Sequence, residues 1–183
     1  MLEVGCGGGE LTRALADARY DALGIDPKAP QGPLFRTVAL EDFDGDGFDA
    51  VVAVLSLHHV HDLGRALDRI ASLAPLLVVD EFSWDRCDQD TAAWYERERL
   101  RLLEAGEGSG RPSARDWGPR HAGLHVVEDL RRELGARFEE RSFTWEPYLY
   151  RELGSPALAA AEETLIAAGE IRATGFRFVG TRR

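Results

Sequence analysis

Short apolar runs alternate along the chain with segments of helical periodicity. Residues 2–4, 22–25 and 76–82 read as strands, and residues 48–60 as a strand with the loop leaving it. Leu11, Leu15 and Ala18 recur at helical spacing after the first run, and Leu63, Ala66, Leu67, Ile70 and Leu73 do so before Pro75. This alternation predicts a parallel sheet with helices on both faces. Residues 88–104 read as a further helix, with Ala92, Trp94, Tyr95 and Leu102 among its apolar positions. An amphipathic helix is expected at 126–134 and a strand at 136–145. Ser155-Pro156 combines a capping hydroxyl with a proline at the first turn, which predicts a helix running to about Ala168, ahead of Gly169. A last strand follows near 175–180. No internal repeat stands out.

The most informative segment is Leu2-Glu3-Val4-Gly5-Cys6-Gly7-Gly8-Gly9-Glu10, a strand running into glycines and then a helix. Such a unit builds a nucleotide crevice at the carboxyl ends of parallel strands, because glycine takes positive φ and lets a ligand approach the backbone. A structural turn would use the same residues. Asp26, at the end of the next apolar stretch, is placed to accept hydrogen bonds from ribose hydroxyls. A dinucleotide fingerprint would require glycine at position 10, where Glu10 stands, and an acid there disfavours a pyrophosphate at the helix N-terminus. A nicotinamide-dependent oxidoreductase is therefore the weaker reading.

The pattern Glu3, Gly5, Gly7, Gly9 resembles the first motif of the class I S-adenosylmethionine-dependent methyltransferases, in the small-molecule, type-11-like branch. The resemblance continues in the family's order. Gly24-Ile25-Asp26-Pro27 is similar to the second strand and its ribose-binding acid, and Leu40-Glu41-Asp42-Phe43 to the segment that contacts adenine. Residues 48–60 resemble the fourth strand and its exit loop, and residues 76–82 the fifth strand. The family's aspartate ahead of the adenine segment is missing, Val38 and Ala39 standing nearby, so Glu41 or Asp42 takes its place. The resemblance implies a three-layer, Rossmann-like doubly wound α/β sheet, mostly parallel with an antiparallel last strand. It implies one domain over 1–183, with S-adenosylmethionine as cofactor and S-adenosylhomocysteine as product. The implied cofactor-binding residues are Glu3, Gly5, Cys6, Gly7, Gly9, Asp26, Glu41, Asp42 and Leu55. The helices that relatives carry upstream of the first strand are absent. Either the natural chain is longer, or later segments or a partner cover the cleft.

Composition narrows the partners. The chain has 183 residues, 44% of them hydrophobic, enough for one well-buried core. A formal charge of −10 argues against sequence-independent nucleic-acid binding, which needs a basic face. Two cysteines, Cys6 and Cys87, indicate neither a disulfide framework nor a zinc cluster, and Cys6 reads as a small residue with a usable backbone N–H. No apolar stretch approaches a membrane span and no secretory leader is seen, so a cytoplasmic monomer or homodimer is expected.

Methyl transfer asks the protein for alignment, water exclusion and sometimes removal of a proton. His58 and His59 leave the fourth strand beside the expected methyl position, as a base or as pocket-shaping residues. His61 reads as part of the next helix start. The five histidines do not form a known metal-binding motif, and no metal is assigned. Residues 106–123 carry Arg111, Arg115, Arg120, Trp117 and His121, either a lid over an aromatic or anionic acceptor or a solvated loop anchored by Trp117. His121 and His125 reach the cleft only if that lid folds over it. A second excursion, at 147–169, is a helical insertion ahead of the last strand. Ser56-Leu57-His58-His59 stands where base-amine methyltransferases carry Asn/Asp-Pro-Pro-aromatic, and neither cysteine suits cytosine-C5 chemistry. A small-molecule acceptor is favoured. The alternative is a non-catalytic regulatory module that keeps S-adenosylmethionine or nucleotide binding.

Overall fold

A computed structural model describes residues 1–107 and 110–183. Gly108 and Ser109, within the glycine-rich stretch expected at 106–112, lie outside the described residues. Among the described residues seven strands form one sheet: β1 (Leu2–Val4), β2 (Leu23–Asp26), β3 (Phe35–Thr37), β4 (Ala50–Val54), β5 (Leu76–Phe82), β6 (Phe138–Glu146) and β7 (Gly175–Arg182). Their order is β3-β2-β1-β4-β5-β7-β6. The helices are α1 (Glu10–Asp17), α2 (Leu63–Leu73), α3 (Gln89–Glu104), α4 (Trp117–His121), α5 (Val127–Arg137), α6 (Leu149–Glu152) and α7 (Ala159–Ala167). The result is a Rossmann-like α/β sheet flanked by helices, mostly parallel with antiparallel pairing at one edge.

The strands at the centre of the sheet, β1 and β4, are short and almost wholly buried. Val4 lies opposite Ile25 on one side and Ala53 on the other, all three buried. Strand order reverses between β1 and β4, each parallel to its neighbours. A crevice outside the carboxyl ends of such strands is where open α/β sheets hold ligands.

The chain divides into two compact units, one of residues 1–81, 128–143 and 177–183, the other of 82–127 and 144–176. In the first, all five predicted apolar positions of α2 are buried, and Asp62 caps the helix by accepting the Arg65 N–H at 2.9 Å. Helix α1 is shorter than its pattern suggested. Leu11 and Leu15 are half-buried, Ala18 is an exposed cap, and the buried residue is Thr12. Arg19 turns left-handed (φ +69°), and its N–H and that of Tyr20 close on Ala16 and Leu15 at 2.9 and 3.0 Å. That is a Schellman stop without the glycine that usually signals one.

The second unit is built on aromatic rings. Phe82 stacks on Tyr148 with centroids 4.6 Å apart and meets Trp117 edge-on at 5.8 Å. Trp117 is buried, and its indole N–H donates to the Trp84 carbonyl at 2.9 Å, anchoring α4 in this core. Arg120 pairs with Glu152 at 3.0 Å. The excursion at 147–169 contains α6 and α7. Glu162, fully buried on α7, accepts the backbone N–H groups of Tyr148, Leu149 and Tyr150 at 2.8–2.9 Å. Among the described residues no helix is long and apolar enough to cross a membrane.

Candidate functional site

The loop after β1 lies within the first unit. The N–H groups of Gly5 and Cys6 both donate to the Ile25 carbonyl, at 2.9 and 3.1 Å, extending the β1–β2 ladder into the turn. Gly5 has φ +74°, and a Cβ there would fall 2.5 Å from Ser56 Cβ. Its bareness lets the exit loop of β4 close on β1, where the Ser56 hydroxyl donates to the Val4 carbonyl at 3.0 Å. Gly9 faces Phe35 in the same way, a Cβ meeting the ring at 2.5 Å. Gly7 differs. At φ +49° its missing side chain points into open space, with nothing within 4 Å.

Asp26 closes this arrangement. Its Oδ2 accepts the Gly7 N–H at 3.1 Å and its Oδ1 the Lys28 N–H at 2.7 Å. A carboxylate has about four acceptor positions, so two remain for a vicinal diol. Gly7 and Asp26 open onto a cavity of about 510 Å³, in the size range of small-molecule sites. Its apolar wall is Val4, Ile25, Pro27, Val38, Ala39 and Leu40, and its polar margin is Asp26, Glu41, Ser56, His59 and His61.

Of the residues singled out in the sequence, Gly5, Gly7, Asp26, Glu41, Leu55 and His59 line this cavity. Glu3, Cys6, Gly9, Asp42 and His58 are not on its wall. Glu3 is buried and accepts the Thr12 hydroxyl; burial pushes its carboxyl up, against the opposing effect of that hydrogen bond. The Cys6 side chain packs with Ala29, Phe35 and Leu34. The Cys6 N–H, read as usable by a ligand, is committed to Ile25, because β2 carries the ladder past the end of β1. Asp42 sits exposed at the end of a 3-10 turn, Leu40–Asp42.

The two adjacent histidines have different surroundings. His59 is exposed on the cavity margin, whereas His58 is 6% exposed, with Nδ1 2.5 Å from Glu81 Oε1. Their rings lie 4.0 Å apart, centroid to centroid. His61 also lines the cavity, while Asp62 alone caps α2. Leu55 adopts φ +49°, a sparse conformation for a branched side chain that marks functional turns. Glu81 and the cavity position of His61 were missed in the sequence. The available signal for Glu81 is a charge inside the apolar run 76–82, on a strand that ought to be buried. Among the described residues no group of three or more His, Cys, Asp or Glu side chains could hold a metal ion.

Residues 1–145 match the family described as methyltransferase domain, and the chain belongs to that family. Its fold is that of the class I S-adenosylmethionine-dependent methyltransferases. A ubiquinone biosynthesis O-methyltransferase of Rhodopseudomonas palustris is 32% identical over 87 residues, which cover 40% of this chain and 34% of that protein. The chain thus spans about a third of the length of the curated relatives it matches. A solved S-adenosylmethionine-dependent methyltransferase from Mesorhizobium loti superposes with TM-score 0.59 at 17% identity, over 100% of this chain and 90% of that one. The plantazolicin methyltransferase BpumL, solved with a triazolic analogue and S-adenosylhomocysteine, gives 0.58 at 13% identity, over 100% and 76%. At these identities the structural likenesses speak to fold alone.

Proposed function

We propose that the cavity at the ends of β1, β2 and β4 binds S-adenosylmethionine, and that the protein transfers the methyl group to a small-molecule acceptor. One observation carries this reading: an open glycine, Gly7, hydrogen-bonded to a carboxylate, Asp26, that keeps acceptor capacity at the mouth of the cavity. The residues fit the cofactor. Asp26 would take the ribose hydroxyls, Glu41 with Pro27, Val38, Ala39 and Leu40 the adenine, and the Gly5–Gly7 backbone the amino-acid portion. The acids Asp26 and Glu41 on the margin, with Glu10 in the first turn of α1, favour a cationic ligand over a pyrophosphate.

When bound, the cofactor supplies a methyl group already activated on a sulfonium. The protein's part is to orient the partners and exclude water. His59 faces the cavity and is the candidate to accept a proton from the acceptor at a ring nitrogen. His58, paired with Glu81, shapes the turn that carries it. The likeness to an O-methyltransferase makes a hydroxyl acceptor the first class to assay.

The test is calorimetric titration with S-adenosylmethionine, S-adenosylhomocysteine and NAD. Micromolar binding of the first two and none of the third is expected. Asp26→Ala should weaken S-adenosylhomocysteine by about 10- to 100-fold, the worth of one or two charge-assisted hydrogen bonds. Wild-type protein that binds NAD but not S-adenosylhomocysteine overturns the proposal.

A further inference from the structure

The exit turn of β4 has donors that its own residues do not satisfy. Leu57 and His58 open a 3-10 turn, Leu57–His59, and the first N–H groups of any helical turn lack an internal acceptor. Ser56 stands in the capping position, but its hydroxyl is bonded to Val4 and it does not cap. The acceptor comes instead from β5. Glu81, fully buried, takes the Leu57 N–H at 2.9 Å and the His58 N–H at 3.3 Å on Oε2, while Oε1 meets His58 Nδ1 at 2.5 Å. One residue earlier, the Asp80 carbonyl holds the Leu55 N–H at 2.9 Å. Leu55, Ser56, His59, Val60 and His61, all on this turn, line the cavity.

We propose that Glu81 is a positioning residue for the site. From the buried end of β5, its carboxylate caps the turn and fixes His58, so that strained Leu55 and exposed His59 face the cavity. Glu81 is not itself on the cavity wall. The inference rests on reading that cavity as the cofactor site. The chemistry is matched: the two oxygens of a carboxyl group meet two backbone donors and a ring nitrogen able to share a proton with them. Alanine at 81 strands these groups away from water. Aspartate keeps the carboxyl group but is one methylene short. Glutamine has the right length and can accept from both backbone N–H groups, facing His58 with its amide once the ring proton moves to Nε2.

The experiment compares wild type, Glu81→Ala, Glu81→Asp and Glu81→Gln by S-adenosylhomocysteine titration and by amide exchange at Leu57 and His58. Val79→Ala, at a fully buried position on the same strand, controls for general loosening. Glu81→Ala and Glu81→Asp should weaken the ligand about tenfold or more and speed both amides about 100-fold, with Glu81→Gln within about threefold of wild type on both counts. Val79→Ala should lower the melting temperature yet stay within about threefold in affinity. If Glu81→Ala does not fold, Glu81→Asp against Glu81→Gln decides. Wild-type affinity in Glu81→Asp, or an equal loss in Val79→Ala, overturns the proposal. A wild type that ignores S-adenosylhomocysteine refutes the cofactor assignment instead. The exchange rates then judge the turn alone: fast amides in Glu81→Ala uphold the cap, and unchanged ones refute it.

Discussion

One methyl group, added at either of two glycines in the same loop, should produce opposite results. Gly5 and Gly7 both have positive φ, +74° and +49°, so alanine at either carries a backbone strain of about 1–2 kcal/mol. At Gly7 nothing lies within 4 Å of the new methyl, so strain is the whole cost. For a domain of this size that lowers Tm by about 2–8 °C. At Gly5 the methyl falls 2.5 Å from Ser56 Cβ, beside the hydroxyl that ties β4 to β1. Overpacking of this kind adds about 1–3 kcal/mol, for a total of roughly 2–5 kcal/mol. Ligand binding should rank the other way per unit of stability lost. The Gly7→Ala methyl enters the space assigned to the cofactor and should cost about tenfold or more in S-adenosylhomocysteine affinity, despite the milder melt. Thermal melts with and without saturating ligand measure both, since wild type at a hundred times Kd gains about 2.7 kcal/mol. Gly7→Ala that melts with Gly5→Ala, or that binds as wild type does, refutes the reasoning.

The adjacent histidines should separate as cleanly. His59→Ala, at an exposed position, should stay within about 0.5 kcal/mol of wild-type stability, whereas His58→Ala removes a buried hydrogen-bond partner of Glu81 and should cost about 1–3 kcal/mol in urea unfolding. Equal melts would show that the Glu81 contact is not stabilising. Acid unfolding should report on Glu96 in the second unit. The Arg99 guanidinium that donates to it, helped by the Ala114 N–H, holds its carboxyl at about 2. A depressed carboxylate stabilises the fold above its unfolded pKa and loses that contribution as pH falls from about 4.5 towards 2. Glu96→Gln should therefore be less stable than wild type at pH 7, with the gap closing over that window; a gap independent of pH would refute the assignment.

What could be read from the sequence was whatever repeats with the period of its own element. Helix α2 shows five apolar residues at helical spacing, and all five are buried. The central strands are apolar because both their faces are covered, which also hides which of their few polar residues matter. Glu81 looks like an interruption in β5 until the turn after β4, 24 residues earlier, is seen donating to it. The end of α1 was illegible for a different reason: Arg19 occupies a position where glycine is the readable mark. Within the glycine loop the spacing identified the loop but not the division of labour. Gly5 and Gly9 make room for Ser56 and Phe35, and Gly7 alone opens outward. Those roles depend on side chains brought in by other strands. His61 stands directly before the cap of α2, and only the path of the chain turns it to the cavity.

The packing of Cys6 against Phe35 has a practical consequence for thiol chemistry. Burial, reinforced by the carboxylates of Glu3 and Asp26, pushes the Cys6 thiol up to about 11. Burial and neighbouring Asp88 push Cys87 to about 12. Because the thiolate is the reactive form, at pH 7.5 roughly one Cys6 in three thousand, and fewer of Cys87, is ready to react. Alkylating and disulfide-forming reagents should pass the folded protein by. A single cysteine placed on an exposed position such as Leu100 would then be the one that takes a fluorophore or spin label, with both native thiols left in place.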